Sequence, residues 1–270
     1  MESLYGLLGE KLTHSFSPQI HSLIFTKLNI AGHYQLFEVE KENLSNAILG
    51  FKALKVKGVN VTIPYKVDVM KYLDDVSDEG KHIGAINTIC FKNGRAIGYN
   101  TDYYGFGMML DKFNIEVKDK NTVILGTGGA AKAVLQYILD RGVRDVVFVT
   151  RNVDEGMKKF KDFKTIAYEE VKNLKDQDIV INCTPCGMYP NTEKSPLTIE
   201  EVSRFNTVVD LIYNPKETLL LKYAREQHIK AINGLYMLIG QAVKAEELWN
   251  CLKINDEVVD KIYKGIASSI

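Results

Sequence analysis

The chain has 270 residues, of which 46% are hydrophobic and 25% are charged, as in ordinary globular proteins. This composition excludes a disordered chain, a collagen-like repeat and a disulfide-dense miniprotein, and the length predicts one to two domains. Lys plus Arg total 34 and Asp plus Glu also total 34, so no net positive charge is available to attract nucleic acid or an anionic membrane.

The N-terminal segment and the cysteines indicate a cytoplasmic protein. The segment contains an acid, Glu2, and no basic region ahead of an apolar stretch, so it does not resemble a secretory signal. No apolar run approaches the roughly 18 residues that cross a bilayer. The 4 cysteines are few for this length and would be thiols in a reducing compartment. We therefore expect no membrane partner.

Short strand-like runs alternate with longer helical runs through the first hundred residues, which predicts an α/β fold with largely parallel strands. Strands are predicted at residues 4–9, 34–39 and 59–63. A helix is predicted to begin with Ser17 as its cap and Pro18 in its first helical position. Asn93 and Gly94 together predict a two-residue hairpin turn, because both residue types tolerate positive φ.

The same alternation restarts after Tyr104. Strands are predicted at residues 121–126, 146–150, 178–183 and 207–212, with a helix over 128–140. These strands are nearly all apolar, as expected when helices cover both faces of a sheet. From Leu235 onward the pattern is helical only, so the C-terminal helices must pack on a structure that other segments form.

A glycine-rich loop lies between the strand at 121–126 and the helix that follows it. Residues 126–131 read Gly-x-Gly-x-x-Ala. In this context the first glycine makes a tight turn, the second lets the backbone approach a pyrophosphate, and the helix N-terminus faces the anion. The motif therefore predicts dinucleotide binding. The alternatives are a purely structural glycine turn and another nucleotide-like ligand, such as a methyl donor.

The residue after the next strand indicates which dinucleotide binds. NAD-binding folds usually have Asp or Glu there, to accept hydrogen bonds from the ribose hydroxyls. Here the strand is followed by Arg151, which can pair with a 2′-phosphate. We therefore predict NADP. The alternative is that Arg151 is a solvated surface cation, and Asp154 could repel a phosphate.

Four polar segments are expected where strands end, which is where open α/β sheets bind ligands. They are HSFSP (14–18), NVTIPYK (60–66), GAINT (84–88) and GYNTD (98–102). Their Ser, Thr and Asn side chains suit a small polyhydroxylated acid, and Lys66 and Asp102 supply a pair of opposite charges. Each residue also has a structural explanation, such as Ser17 capping its helix.

Motifs along almost the whole chain resemble the shikimate dehydrogenase family. They are HSxSPxxH at 14–21, NVTxPxK, GAxNT, NTD, the glycine loop, NxTxxGM at 182–188, DxxYxPxxT at 210–218 and GLxMLxxQA at 234–242. The resemblance implies an NADP-dependent oxidoreductase that interconverts 3-dehydroshikimate and shikimate in aromatic amino acid biosynthesis. It also implies two domains: a substrate-binding α/β domain of residues 1–102 completed by helices at 236–270, and a Rossmann-like, doubly wound NADP-binding domain of residues 103–235.

The resemblance assigns expected roles to single residues. Lys66 and Asp102 match the family's catalytic pair. The substrate-binding positions match Ser15, Ser17, Thr62, Asn87, Tyr213 and Gln241, with the two serines holding the substrate carboxylate. The cofactor-binding positions match Gly126, Thr127, Gly128, Gly129, Ala130, Thr150, Arg151, Asn152, Thr184, Leu211, Gly234 and Asp78. No metal is implied, and His14 and His21 resemble neighbours of the substrate site.

Lysine is protonated at neutral pH, so we expect Lys66 and Asp102 to act as one unit that shares a proton with the substrate hydroxyl. Cys183 and Cys186 form a Cys-x-x-Cys motif, but a structural zinc needs about four ligands and no second such motif is present. We expect both cysteines to be incidental.

One departure from the family pattern leaves alternatives open. The family often has a second basic residue shortly after the arginine, where this chain has Asp154, so that phosphate-binding cation is missing. One alternative is therefore a quinate or shikimate dehydrogenase that uses NAD, and another is a non-catalytic regulator that senses NADP. Retention of Lys66 and Asp102 favours an enzyme. The chain is expected to be a monomer or a homodimer.

Overall fold

The computed structural model describes residues 2–12 and 15–268, and His14 therefore lies outside the described residues. The chain divides into two compact units. Unit 1 contains the described residues up to Phe106 and those from Leu238 onward, and unit 2 is Gly107–Met237.

The elements follow one another as strands and helices in both units. The strands are β1 (Ser3–Gly9), β2 (Gly32–Glu38), β3 (Gly58–Val61), β4 (Asp75–Val76), β5 (Thr88–Lys92), β6 (Arg95–Tyr99), β7 (Asn121–Leu125), β8 (Asp145–Val149), β9 (Lys164–Ile166), β10 (Ile179–Asn182), β11 (Thr207–Asp210) and β12 (Lys230–Asn233). The helices are α1 (Ser17–Leu28), α2 (Leu44–Ala53), α3 (Asp78–Ile83), α4 (Thr101–Lys112), α5 (Gly129–Asp140), α6 (Val153–Lys159), α7 (Ile199–Val202), α8 (Leu219–Glu226), α9 (Leu235–Asn250) and α10 (Asp256–Ala267). The predicted α/β fold class is confirmed.

The sheet of unit 1 has the strand order β2-β1-β3-β5-β6-β4. Its strands β2, β1 and β3 are parallel, but β5 is antiparallel to both β3 and β6. Because β4 is parallel to β6, five of the six strands run in the same direction, so the expectation of largely parallel strands is confirmed for this sheet and β5 is the exception. The reason is the hairpin at Asn93 and Gly94, which have the predicted positive φ values of 53° and 74° and return the chain directly alongside β5.

Helix α1 begins one residue earlier than predicted. Ser17 is the first helical residue, and the capping position is occupied by Phe16, whose side chain makes no capping hydrogen bond. Instead, the backbone N–H of Ser17 donates to Oγ of Ser15, 3.2 Å away. The prediction that Ser17 caps the helix is wrong, because Ser15 already binds the free N–H group there.

The C-terminal helices complete unit 1. Trp249 of α9 is buried, and its indole Nε1 donates to the carbonyl of Ile89 in β5 at 2.9 Å. A Cβ atom on Gly58 would collide with that indole ring, so β3 has a glycine where the tryptophan packs. The chain's single tryptophan therefore holds α9 on the sheet.

Unit 2 contains an all-parallel sheet with the order β12-β11-β10-β7-β8-β9. Chain order reverses between β7 and β10, as in doubly wound dinucleotide-binding folds, where ligands bind outside the carboxyl ends of the strands at this point. The strands of the sheet are almost wholly apolar and buried, because helices cover both faces. No helix within 2–12 and 15–268 is long and apolar enough to span a membrane.

Candidate functional site

One edge of the sheet in unit 1 gathers the polar segments. The carboxyl end of β3 lies beside the amino end of β5, because these strands are antiparallel and Asn60 pairs with Thr88. Thr88 in turn pairs with Tyr99 at the carboxyl end of β6. The segment GAINT therefore precedes a strand, which corrects the expectation that all four polar segments follow strands. The antiparallel pairing still brings it to the same edge.

Lys66 and Asp102 are in direct contact at this edge. Nζ of Lys66 donates to Oδ2 of Asp102 across 2.6 Å. Their side chains are 24% and 14% exposed, so both groups are largely shielded while solvent still reaches the pair. Lys66 lies in the segment after β3, and Asp102 lies in the first turn of α4. The fold thus brings together the two residues that the sequence analysis predicted as a catalytic pair.

Asn87 fixes the second oxygen of that carboxylate. Its Nδ2 donates to Oδ1 of Asp102 at 2.8 Å. Its Oδ1 accepts from the backbone N–H of Thr101 at 2.7 Å and from the Thr101 hydroxyl at 3.1 Å. Asn87 is buried, so these contacts determine its orientation. The amide that was predicted to bind substrate is thus also the group that orients Asp102.

A buried hydrogen-bonded chain links this pair to Ser17. Asn60 Nδ2 donates to the Thr88 hydroxyl at 3.0 Å, and that hydroxyl lies 3.0 Å from the Thr101 hydroxyl. The Tyr34 hydroxyl donates to Oδ1 of Asn60 at 2.7 Å and is also hydrogen-bonded to Ser17. Burial raises the pKa of Tyr34, and the hydrogen bond with Ser17 opposes this rise. The sequence analysis gave no role to Tyr34 or Asn60. Asn60 could have been noticed from the sequence, because an asparagine inside an otherwise apolar strand needs a hydrogen-bonding partner.

The remaining predicted substrate positions in unit 1 are half-buried. They are Ser15, Thr62 and Gln241. Thr62 follows β3, and its backbone N–H donates to Leu8 at 3.0 Å. Gln241 lies in α9 and donates from Nε2 to the carbonyl of Leu238 at 3.0 Å. Ser15 accepts from Ser17, as described for the start of α1.

A second buried polar cluster lies behind Tyr34. His21 stacks on the Tyr34 ring with 4.1 Å between ring centroids, and its Nδ1 is 2.6 Å from Oε1 of Glu246. Both side chains of this pair are fully buried. The other oxygen of Glu246 accepts from Nδ2 of Asn250 at 2.8 Å, and Oδ1 of Asn250 accepts from the Tyr5 hydroxyl at 2.7 Å. Glu246 was not predicted from the sequence to have a role.

In unit 2 a cavity of about 600 Å³ lies outside the carboxyl ends of the parallel strands. Six of the predicted cofactor positions line it: Gly126, Thr127, Gly128, Thr150, Arg151 and Thr184. These residues follow β7, β8 and β10. The chain order of the sheet reverses between β7 and β10. Further lining residues that the sequence analysis did not name include Tyr168, Asn191 and Lys194.

The backbone of the glycine loop has the form that the motif predicts. Gly126 has φ 94°, a left-handed conformation that favours glycine, and a Cβ atom there would lie 2.7 Å from the Thr184 methyl group. Gly128 is the capping residue of α5, and a Cβ atom on it would meet nothing within 4 Å. Open space therefore lies in front of the free N–H groups of α5, which begins with Gly129 and Ala130. An anionic pyrophosphate fits such a cradle.

Arg151 and Asn152 follow β8 but have different surroundings. Arg151 is exposed and lines the cavity. Asn152 caps α6, since its Oδ1 accepts from the backbone N–H of Glu155 at 3.1 Å. Lys159 pairs with Glu155 at 2.7 Å and offsets its charge.

A buried hydrogen-bonded chain supports the loop after β10. Oδ1 of Asn182 accepts from the backbone N–H of Thr184 at 3.0 Å and from its hydroxyl at 2.7 Å. Nδ2 of Asn182 donates to Oδ1 of Asp210 at 3.0 Å, and the Thr218 hydroxyl donates to Oδ2 of Asp210 at 2.6 Å. Asn182 and Asp210 are fully buried. These two side chains hold the loop that carries Thr184 in place. No role was predicted for either of them from the sequence.

Burial raises the pKa of Asp210 from 3.8 to about 6, although three hydrogen bonds to the carboxylate oppose this rise. The folded protein therefore binds this proton more tightly than the unfolded chain. The stabilisation is complete below about pH 3.8 and is lost as the pH rises through about 6. Over that interval we expect Asp210 to reduce the free energy of unfolding by about 3 kcal/mol.

The matched variant is Asp210→Asn, which keeps the shape of the side chain and removes the titration. Urea unfolding followed by far-UV circular dichroism at several pH values compares the two proteins. We expect the difference in unfolding free energy, wild type minus variant, to decrease by about 3 kcal/mol from acidic to neutral pH. If the unfolding free energies of the two proteins changed equally with pH, Asp210 would not be the group whose raised pKa causes the pH dependence.

The thiols beside the cavity are free cysteines. Desolvation raises the pKa of Cys183 and of Cys186, so both are protonated at neutral pH and are poor metal ligands and nucleophiles. Within the described part of the chain, no group of three or more His, Cys, Asp or Glu side chains could hold a metal ion.

The other predicted positions are distributed over both units. Leu211 and Gly234 are neighbours in unit 2, where a Cβ atom on Gly234 would collide with the Leu211 backbone. Tyr213 also lies in unit 2, and burial raises its pKa. Asp78 lies in unit 1 as the first residue of α3, and its side chain is 95% exposed.

Comparison with known protein families resolves which fold family this is. The sequence model of the shikimate dehydrogenase substrate binding domain matches residues 7–89, and that of shikimate / quinate 5-dehydrogenase matches residues 108–211. Together these segments cover more than half of the chain. The chain belongs to the shikimate dehydrogenase family.

Individual relatives of this family are similar over nearly their full length. A shikimate dehydrogenase (NADP(+)) from Clostridium beijerinckii is 49% identical, with 96% of both chains covered. The crystal structure of a chorismate mutase/shikimate 5-dehydrogenase fusion protein from Clostridium acetobutylicum is 52% identical, covers 100% of this chain and 99% of that one, and has a TM-score of 0.98. A shikimate 5-dehydrogenase from Thermus thermophilus, in complex with NADP(H) and shikimate, is 28% identical with a TM-score of 0.87, covering 97% of this chain and 99% of that one.

Proposed function

We propose that this protein is an NADP-dependent shikimate dehydrogenase, which reversibly reduces 3-dehydroshikimate to shikimate in aromatic amino acid biosynthesis. The observation that carries the proposal is the contact between Lys66 and Asp102 at the edge of unit 1, 2.6 Å apart and largely shielded from solvent. Family membership and the names of the relatives support the same substrate and cofactor.

Lys66 and Asp102 would supply the proton transfer that accompanies the hydride transfer. When bound, NADPH supplies the hydride to the substrate carbonyl carbon, and NADP+ accepts it in the reverse direction. In the reduction, the Lys66 ammonium would donate a proton from Nζ to the carbonyl oxygen, on which negative charge develops. In the oxidation direction the neutral amine of Lys66 takes the hydroxyl proton.

Asp102 would hold the Lys66 side chain in place and stabilise its ammonium form through the hydrogen bond to Nζ. Asn87 would act as a positioning residue in addition to its expected substrate contact, because it binds the other carboxylate oxygen. General acid and base assistance of this kind contributes about 10² to 10⁴ in rate.

Hydroxyl and amide groups at the same edge of unit 1 would bind the substrate. Ser15 and Ser17 would hold its carboxylate, and Thr62, Asn87 and Gln241 its ring hydroxyls. The half-burial of Ser15, Ser17, Thr62 and Gln241 supports this assignment. The hydrogen-bonded link from Ser17 to the catalytic pair through Tyr34 also supports it. We propose that Tyr213 of unit 2 also contacts the carboxylate.

The cavity of unit 2 would bind NADP. The glycine loop at Gly126–Ala130 would hold the pyrophosphate, and Arg151 would pair with the 2′-phosphate, with Thr150 and Asn152 beside it. Thr184 and the loop that carries it would hold the nicotinamide half, together with Leu211 and Gly234. We also propose a position near the cofactor for Asp78. The enzyme would act in the cytoplasm, as a monomer or a homodimer.

The initial rate of shikimate oxidation, followed at the absorbance of the reduced nicotinamide, tests the proposal. NADP+ and NAD+ are assayed in parallel, with quinate as the second substrate. We expect fast turnover with shikimate and NADP+. A preference for NAD+ or quinate would assign the protein to the related activity instead. Binding of NADP+ without any turnover would favour a regulator.

A further inference from the structure

Two positive charges from separate loops line the cavity of unit 2. Arg151 follows β8, and Lys194 lies in the long segment between β10 and α7. Among the described residues that line this cavity, none is Asp or Glu. The lining therefore favours an anionic ligand more strongly than Arg151 alone would.

The two cations act on the same part of the cavity. The thiol of Cys186, which also lines it, has its pKa raised by burial, and the charges of both Lys194 and Arg151 oppose that rise. Asp210 adds to the rise, but its carboxylate is fully buried and bonded to Asn182 and Thr218. Lys194 and Arg151 thus both line the cavity and both lie close enough to Cys186 to affect its pKa.

The acidic residues that follow Arg151 in the chain do not line the cavity. Asp154 is not among its lining residues. Glu155 is likewise absent from the lining, and its carboxylate is paired with Lys159 and hydrogen-bonded to Asn152. Neither carboxylate therefore belongs to the surface of the ligand space.

The backbone that carries Lys194 is held in place, although the side chain is exposed. Gly187 has φ 95°, and a Cβ atom there would lie 2.9 Å from the Lys194 carbonyl oxygen, so only glycine permits this close approach. The next residue, Ser195, donates from its hydroxyl to the carbonyl of Leu197 at 2.6 Å. The Lys194 ammonium is therefore presented from an ordered loop.

We infer that Lys194 supplies the second positive charge that binds the 2′-phosphate of NADP, together with Arg151. This inference rests on the proposed NADP-dependent function. It accounts for a phosphate site without a basic residue at position 154, because the missing charge comes from a different loop. NAD carries a hydroxyl in place of that phosphate, so Lys194 distinguishes the two cofactors by charge.

The test measures binding of adenosine 2′,5′-bisphosphate and of adenosine 5′-monophosphate to the whole protein by calorimetry. These probes differ only in the 2′-phosphate and need no catalysis. We expect Lys194→Ala to weaken binding of the bisphosphate by about tenfold, as the loss of one charged hydrogen bond implies. Binding of the monophosphate should be unchanged, and Lys194→Arg should retain most of the affinity for the bisphosphate.

Lys222→Ala is the matched control, because Lys222 is an exposed lysine of unit 2 that does not line the cavity. It should bind both probes as the wild type does. The inference would be overturned if Lys194→Ala weakened the binding of both probes equally, or weakened the binding of neither. Failure of the wild type to oxidise shikimate would instead count against the proposed function, since probe binding is measured separately from turnover.

Discussion

Replacing Lys66 by alanine is expected to lower kcat for shikimate oxidation by about 10²- to 10⁴-fold. The variant lacks the group that accepts the hydroxyl proton, and Asp102 remains fixed by Asn87 at 2.8 Å without its partner. Steady-state rates with NADP+ measure kcat, and calorimetry measures the dissociation constant of shikimate. The loss should fall mainly on kcat.

Lys71→Ala is a suitable control, since Lys71 is a solvent-exposed lysine of the same unit, 58% exposed, paired only loosely with Asp68 at 3.5 Å. It should retain normal turnover. Asp102→Asn should also lose activity, because the amide cannot stabilise the Lys66 ammonium as a carboxylate does. If Lys66→Ala kept nearly full turnover and changed only substrate affinity, Lys66 would be a binding residue and not the proton donor and acceptor.

Replacing Glu246 by alanine is expected to reduce the free energy of unfolding by about 1–3 kcal/mol, which is the typical cost of leaving a buried hydrogen-bonding group without its partner. His21 Nδ1 would lose its buried partner at 2.6 Å, and Asn250 Nδ2 would lose the nearer of its two acceptors, the Glu246 carboxylate at 2.8 Å. Urea unfolding followed by tryptophan fluorescence measures the loss. The fluorescence reports on this unit, because the only tryptophan, Trp249, is buried 5.4 Å from the His21 ring.

Glu226→Ala provides the comparison, because Glu226 is an exposed glutamate at the end of α8. Its unfolding free energy should change by no more than about 0.5 kcal/mol. Glu246→Gln should be less destabilising than Glu246→Ala, since the amide keeps the volume and one acceptor oxygen. A Glu246→Ala protein as stable as Glu226→Ala would show that the buried contact does not stabilise the fold.

Sequence periodicity located the strands well, but it extended several of them too far at the carboxyl end. The strand predicted at residues 59–63 ends at Val61, because the chain turns there and the N–H of Tyr65 donates to the carbonyl of Thr62. The short strands β4 and β9 were not predicted at all, because a strand of two or three residues is too short to show a hydrophobic periodicity.

Local motifs identified the candidate site in part. A glycine with φ 94° in a loop between strand and helix follows from the loop's own sequence, so Gly126 was predictable. By contrast, Asn60 and Asn182 appear as isolated polar residues in apolar strands. Only their folded partners, Tyr34 and Asp210, reveal that they connect and support the site.

The sequence by itself determined the α/β class, the hairpin and the glycine loop, since each depends on residue types at short spacing. Lys66 and Asp102 are 36 residues apart, and the family motifs indicated them as a pair. The tertiary structure decided what depends on distant residues. It placed β5 beside β3 as well as β6, so the amino end of β5 lies next to the carboxyl ends of both neighbours. It also buried Glu246 against His21 and brought Lys194 into the same cavity as Arg151. These contacts arise between segments that are far apart in the chain, where no local pattern specifies which side chains meet.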